Sequence, residues 1–334
     1  MLDALFQLSL FSAKAIILVV LILVLFAGII GLFSRGKHQT KLSIKNLNSK
    51  YKDIKKEFLA EILSKKSFKK YIKENKHEEK TKKSDNEDKK NIFILNFDGD
   101  IKASAVNSLR EEITAILNVA TSKDEVIVRL ESPGGMVHAY GLAAAQLSRI
   151  REKGIPLIVS VDKVAASGGY LMACIANKIL AAPFAIIGSI GVIVQLPNFH
   201  RLLKEKKVDF EQITAGSFKR TLTLFGENTE SGREKMHEEI EEIHTLFKNV
   251  IVEHRPQIDI DKVATGEHWL AKQAIELQLI DELRTSDDYL LEQSQKANLF
   301  EIHYKAKKTF SEKLLTNVQA LKTHIFGQSN HVLL

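Results

Sequence analysis

Between Asn91 and Gln195 the chain alternates short apolar runs with helical patterns, and this alternation limits the fold more than any other feature. IFILNF (92–97) and VIVRL (126–130) read as buried strands bounded by polar residues or glycine. Between them Val106, Leu109, Ile113, Ile116 and Leu117 share one face of a helix over 104–119. The pattern continues with a helix over about 137–152, a strand PLIVSV (156–161), a helix over 168–177 and short strands KILAA (178–182) and GVIVQ (191–195). Strands separated by crossing helices predict an α/β domain with a largely parallel sheet. The run AIIGSIGVIV (185–194) is too short and too glycine-rich to span a bilayer, so it is expected to cross the core. Beyond it come a long charged helix (about 229–254), a short helix around 270–278, LIDEL (279–283), a strand at 300–304 and then a basic amphipathic helix.

A different texture precedes this domain. Ala15 to Phe33 is 19 residues without a charge, enough at about 1.5 Å per residue to cross roughly 30 Å of hydrocarbon. Only Lys14 and Asp3 carry charge before it, and no A-x-A site follows, so it reads as an anchor rather than a cleaved signal peptide. Arg35, Lys37, Lys41 and Lys45 outweigh Lys14, which by the positive-inside rule puts the C-terminal bulk of a single-pass membrane protein in the cytoplasm. Residues 41–79 carry Ile54, Phe58 and Ile62 at helical spacing, and KTKKSDNEDKK (80–90) has no apolar residue and reads as a solvated linker. The expected division is a transmembrane anchor (1–34), a basic charged region (35–90), the main domain (91–285) and a C-terminal extension (286–334).

Charge supports that division. The chain carries +7 in all, but residues 34–92 alone hold 19 Lys/Arg against 9 Asp/Glu, so the remainder is slightly acidic. This argues against a nucleic-acid groove on the main domain and suits anionic lipid beside the anchor. The lone Cys174, in an apolar helical pattern, rules out an intramolecular disulfide framework and a cysteine zinc cluster, and reads as core.

Two glycine turns follow predicted strands. Glu131-Ser132-Pro133-Gly134-Gly135 lies where VIVRL ends, and Val164-Ala165-Ala166-Ser167-Gly168-Gly169-Tyr170 sets one serine among small residues before a helix. Backbone N–H groups at such turns suit a developing oxyanion, although Pro-Gly alone is an ordinary turn and a lone serine at a helix start is ordinarily an N-cap. A nucleophilic serine needs a proton acceptor. No histidine, His138 and His200 included, sits in a recognisable triad pattern, whereas Lys219 lies in TAGSFKRTLT (214–223), uncharged apart from Arg220 and flanked by Phe218 and Leu222. An apolar site would favour its neutral, basic form. Lys204, Lys206 and Lys207 sit in a charge run and read as solvated surface.

Together PGG, ASGGY, GSIGV (188–192) and a lysine after Thr214-Ala215-Gly216 resemble the bacterial signal peptide peptidase A family, peptidase family S49, which uses a serine–lysine dyad. FDGDI (97–101), AGSFKRTLTLFGENT (215–229) and ATGEHW (264–269) are similar to its short, membrane-anchored branch, and the interval of 52 residues from Ser167 to Lys219 resembles single-copy members. The resemblance covers about 90–285. It implies that Ser167 is the nucleophile, Lys219 the general base, Ser189 the group that orients the lysine amine, and Gly135 and Gly168 the backbone donors of the oxyanion hole, with Tyr170 and Met136 as walls of the substrate pocket. It also implies a Clp protease/crotonase-like superhelix of strand–strand–helix units, a homo-oligomeric ring, peptide substrates and no metal or organic cofactor. Two other readings remain open on the residues: a catalytically inactive membrane scaffold of the same fold, and a crotonase-type acyl-CoA enzyme, which would need acid/base carboxylates in place of the dyad.

Overall fold

The computed structural model describes residues 41–81 and 89–305, together with helical residues at 10–11, 14–22 and 25. Among the described residues no helix is long and apolar enough to cross a membrane. The spanning helix expected over Ala15–Phe33 is therefore not found there: only 15–22 and 25 of that run are described, and the rest lies outside the described residues. So do most of the linker at 80–90 and the amphipathic helix expected after residue 305.

The elements run in the order β1 (Lys41–Asn46), α1 (Leu47–Ile62), α2 (Lys65–Thr81), β2 (Asn91–Asp98), α3 (Val106–Leu117), β3 (Glu125–Glu131), α4 (Val137–Glu152), β4 (Leu157–Val161), β5 (Val164–Ala166) and α5 (Gly168–Ala173). They continue with β6 (Lys178–Ala181), β7 (Ile186–Gly188), α6 (His200–Glu205), α7 (Glu230–His254), α8 (Ile260–Val263), β8 (His268–Leu270), α9 (Ala271–Ala274), β9 (Glu282–Leu283), α10 (Ser286–Gln293) and β10 (Asn298–Lys305). Leu42–Tyr304 form one compact unit. Its large sheet has the strand order β1-β10-β2-β3-β4-β6-β9, and a small sheet has the order β5-β7-β8. In the large sheet β10, β2, β3, β4, β6 and β9 pair in parallel; in the small one β5 and β7 are parallel and β8 runs against β7.

The apolar runs are continuous because both faces of the large sheet are covered. Phe93, Leu95 and Phe97 of β2 point into one core, with α3, α4 and α5 above them, while Ile92 and Ile94 point into a second core shared with Leu47, Tyr289 and Leu290 of α1 and α10. Strand β4 is buried at all five positions. The chain leaves β4, an inner strand of the large sheet, crosses to β5 in the small sheet, and turns directly into α5; β6 and β7 repeat the crossing. Each crossing delivers a turn to the same place, since β5 and β7 are paired neighbours.

Several boundaries differ from expectation. GVIVQ (191–195) is not a strand; Ile186–Gly188 is, and it stops because Gly188 (φ 106°) and Ser189 (φ 50°) turn out of extended geometry. Of the run expected to cross the core, Ala185, Ile187 and Ile190 are buried, but Ile193 and Val194 are exposed. The helix expected over 168–177 ends at Ala173, and that expected over 270–278 is the single turn α9. The start of the stretch read as helical at 41–79 is instead strand β1, whose Asn46 then caps α1 by accepting from the Ser49 amide.

Candidate active site

The peptide that begins α5 is held from three sides. The Ser167 amide donates to the Gly188 carbonyl at 2.8 Å, the Ala166 amide to the Ser132 carbonyl at 3.0 Å, and the Ser167 carbonyl accepts from Leu171 at 3.0 Å. So constrained, Ser167 has φ 53° and ψ −120°, a region in which a side chain costs on the order of 1–3 kcal/mol and glycine is the usual occupant. Although Ser167 occupies the N-cap position, its side chain makes no capping hydrogen bond. The half-buried hydroxyl is thus presented at a strained strand-to-helix corner rather than committed to the helix.

The SPGG turn lies against this corner. Gly134 has φ 89°, and a Cβ there would come within 2.7 Å of the Ala166 oxygen and the Ser167 Cβ and 2.8 Å of the Gly168 nitrogen, so only glycine permits the approach. The amide groups around the contact divide cleanly. Gly134 donates to Ser132 Oγ at 3.1 Å, Met136 to the Ile101 carbonyl and Ser167 to Gly188. The amides of Gly135 and of Gly168, the first residue of α5, have no acceptor among the described residues, the latter as one of the orphan donors of a helix start. Ser189 follows Gly188, so it leaves the small sheet beside Ser167; its amide donates to the Glu267 carbonyl. Sequence reasoning thus named Ser167, Gly135, Gly168 and Ser189 separately, and the small sheet gathers the turns that carry them.

Lys219 stands differently. It lies in the irregular segment between α6 and α7, where residues 208–220 are all exposed. Its amide closes a turn onto the Gly216 carbonyl, but no hydrogen bond joins its ammonium to Ser167 or Ser189 among the described residues. The apolar surroundings inferred from Phe218 and Leu222 are not closed over it: the Phe218 ring is half exposed and faces the Lys235 ammonium at 5.6 Å.

Comparison with known proteins decides the family. The model of the peptidase family S49 N-terminal region matches residues 3–147, and that of peptidase family S49 matches residues 149–300. A "Probable protease SohB" of Haemophilus influenzae is 50% identical over 87% of this chain and 88% of its own length. The chain belongs to peptidase family S49. Another "Probable protease SohB", from Buchnera aphidicola subsp. Acyrthosiphon pisum, is 54% identical over 72% of this chain and 70% of its own. The more distant "Protease 4" of H. influenzae is 28% identical over 62% of this chain and 35% of its own. A solved structure of a membrane-bound stomatin-specific protease superposes with a TM-score of 0.44 at 14% identity, covering 70% of this chain and 99% of that one. Membership of peptidase family S49 and the likeness to the SohB proteins make the chain a peptidase.

Within the S49 domain one expected role changes. Tyr170 is not a pocket wall: its side chain, on the inner face of α5, is fully buried, donates to the Leu279 carbonyl at 2.9 Å, and burial holds its phenol well above the ordinary pKa. Beside it the Arg255 guanidinium, 3% exposed, bonds Asp281 at 2.7 Å and the Gln278 carbonyl. This ion pair, buried on its arginine side, fixes the chain on which Tyr170 rests. Met136 remains exposed at the SPGG turn, where it was expected. Cys174 is core, its thiol pushed up to about 12 by burial and therefore unreactive. Ser132 and Tyr140, both fully buried beneath the two turns, were not singled out by sequence; the available signal was a serine immediately before PGG and a tyrosine one helical turn after it.

Proposed function

We propose that this S49 peptidase is a membrane-anchored serine endopeptidase that hydrolyses extended apolar peptides, such as remnant signal peptides or membrane-protein fragments. The single observation that supports it most is the strained Ser167 at the junction of two glycine turns whose Gly135 and Gly168 amides have no acceptor among the described residues. In this reading Ser167 Oγ attacks the scissile carbonyl carbon while the neutral Lys219 amine takes the hydroxyl proton. The oxyanion is met by the Gly135 and Gly168 amides, and Ser189 orients the lysine. Collapse of the intermediate breaks the C–N bond, Lys219 returns the proton to the leaving amine, and water attacks the acyl-enzyme with the same base. The steps require no metal or organic cofactor.

The exposure of Lys219 fits a homo-oligomer. The segment 191–229 is tied mainly to itself, through Asn198 to the Thr223 and Gly226 carbonyls and through the stacked Phe199 and Phe225 rings, 6.0 Å apart. Ile193, Phe199, Phe210 and Ile213 remain exposed on it, an apolar surface that a ring of subunits would cover while enclosing the lysine. We read Ala15–Phe33 as the anchor; its described side chains, Ile17 and Leu21 among them, are exposed, as lipid contact requires. The strand–strand–helix crossings at β4–β5–α5 are consistent with a Clp protease/crotonase-like superhelix, and the flanking lysines with a cytoplasmic catalytic domain.

The test uses the full chain in detergent with a leucine-rich, signal-like fluorogenic peptide. Ser167→Ala and Lys219→Ala are each expected to abolish cleavage while the protein stays folded, and full activity in either variant removes that residue from the mechanism. Mixing the two inactive variants restores activity if the dyad is shared between chains and leaves it absent if each dyad lies within one chain.

A further inference from the structure

Beneath the two turns lies a buried chain of polar atoms whose direction is fixed by chemistry. The Gly134 amide can only donate, and it reaches Ser132 Oγ at 3.1 Å; Ser132 Oγ lies 2.6 Å from the Tyr140 hydroxyl, which lies 2.8 Å from the Asp100 carbonyl. A carbonyl can only accept, so the tyrosine hydrogen points at Asp100 and the serine hydrogen at Tyr140. Every proton is thereby assigned, in one direction, from Gly134 to Asp100. Burial raises the pKa of the phenol, so it keeps its hydrogen.

The same tyrosine touches the other turn. A Cβ on Gly168 would run into the Tyr140 ring, and one on Gly99 would run into both Ser132 Oγ and the Tyr140 hydroxyl. The loop that supplies the Asp100 carbonyl is itself clamped. The Gly99 amide donates to the Glu131 carbonyl, the Met136 amide to the Ile101 carbonyl, and the Asp100 carboxylate accepts from the Ser104 amide and hydroxyl. The ring therefore supports the Gly168 amide from below, and the hydroxyl, through Ser132, draws the Gly134 amide inward. With Gly134 at φ 89° and its amide bonded inward to Ser132, the next amide, that of Gly135, has no acceptor among the described residues.

We propose that Tyr140 and Ser132 are positioning residues that set the two halves of the oxyanion site, Gly135 and Gly168, relative to each other. This rests on the reading of Ser167 as nucleophile. Neither residue touches substrate. Their effect is on how well the amides meet the charge that forms in the transition state, so it belongs to kcat and not to substrate affinity.

The experiment compares wild type, Ser167→Ala, Tyr140→Phe, Ser132→Ala and the Tyr140→Phe/Ser132→Ala double variant, as full chains in detergent, on the leucine-rich peptide. Binding of a leucine peptide aldehyde, whose adduct with the serine presents an oxyanion, is measured beside it. Loss of a whole oxyanion donor costs about 10²–10³ in kcat, and loosening the donors is expected to cost about tenfold. Each single variant should lose about tenfold in kcat with KM within about twofold, and weaken aldehyde binding in proportion. The double variant should be no worse than the weaker single one, because both break one chain. Two variants guard against one failing to fold, and thermal melting establishes that the material tested is native. If Ser167→Ala still cleaves, the nucleophile reading falls and the positioning role with it. If Ser167→Ala is inactive while the folded Tyr140→Phe and Ser132→Ala variants keep wild-type kcat and aldehyde affinity, or lose kcat and KM together, the positioning role alone is overturned.

Discussion

The corner at Ser167 and the segment around Lys219 are built in opposite ways. Three backbone hydrogen bonds, a parallel strand pair and a glycine-only contact over-determine the conformation of Ser167, enough to hold a side chain at φ 53°. Lys219 sits on exposed, irregular chain that bonds chiefly within itself. In the proposed site the nucleophile side is fixed within one folded chain, whereas the Lys219 side lies open on exposed chain that the oligomer proposed above would cover. Strain persists only where surrounding structure can oppose it.

The first way to break this comparison is to remove the two side chains in turn. Ser167→Ala and Lys219→Ala should each lower peptide cleavage by about a thousandfold or more. Their stabilities should separate them from a third variant: Ser167→Gly, equally inactive, should be more stable than wild type by about 1 kcal/mol because glycine accepts positive φ without strain. Urea unfolding checks this, and a Ser167→Gly protein less stable than wild type would contradict a strained corner. Lys219→Ala should stay within about 0.5 kcal/mol of wild type, because the side chain is exposed and has no hydrogen-bond or ion-pair partner among the described residues.

Next in size is Gly134→Ala. Its Cβ meets backbone atoms that cannot swing aside, and its φ of 89° is strained for alanine. A loss of about 2 kcal/mol in stability together with about a hundredfold in kcat is expected. Gly216→Ala, in the Lys219 segment, shares the positive φ (97°) but meets nothing within 4 Å, so its cost should be about 1 kcal/mol. Equal effects at the two glycines would erase the contrast between the regions. Ser189→Ala should cost about tenfold in cleavage with little change in melting temperature, since the Ser189 backbone, not its hydroxyl, carries the bond to Glu267. The smallest effect on folding belongs to Ile213→Ser, at 96% exposure: stability within about 0.5 kcal/mol, but a shift toward smaller species in sedimentation if this surface joins subunits. An unchanged sedimentation profile would take Ile213 out of the interface.

Much of the fold could be read from the chain, for identifiable reasons. Strands β2, β3 and β4 and helices α3, α4 and α7 announce themselves because a sheet covered on both faces needs unbroken apolar runs and its covering helices need apolar stripes. The small sheet was not legible. Its strands are three residues long, and β8 joins β7 from about 80 positions away in the sequence, so no local period marks it. That is also why GVIVQ looked like a strand: its pattern is apolar, but Gly188 and Ser189 had already turned the chain out of the sheet.

By itself, the sequence determined the alternating α/β core, the two glycine turns and the residue types able to act in them, because periodicity and glycine placement act through neighbours along the chain. Only tertiary structure decided that the turns touch, that Gly134 is the point of contact, and that Ser132 and Tyr140 support both from below. It also decided that Tyr170 serves the core and that Lys219 lies exposed on the segment between α6 and α7. Burial and strain depend on what distant segments bring to the same place, and no local pattern encodes that.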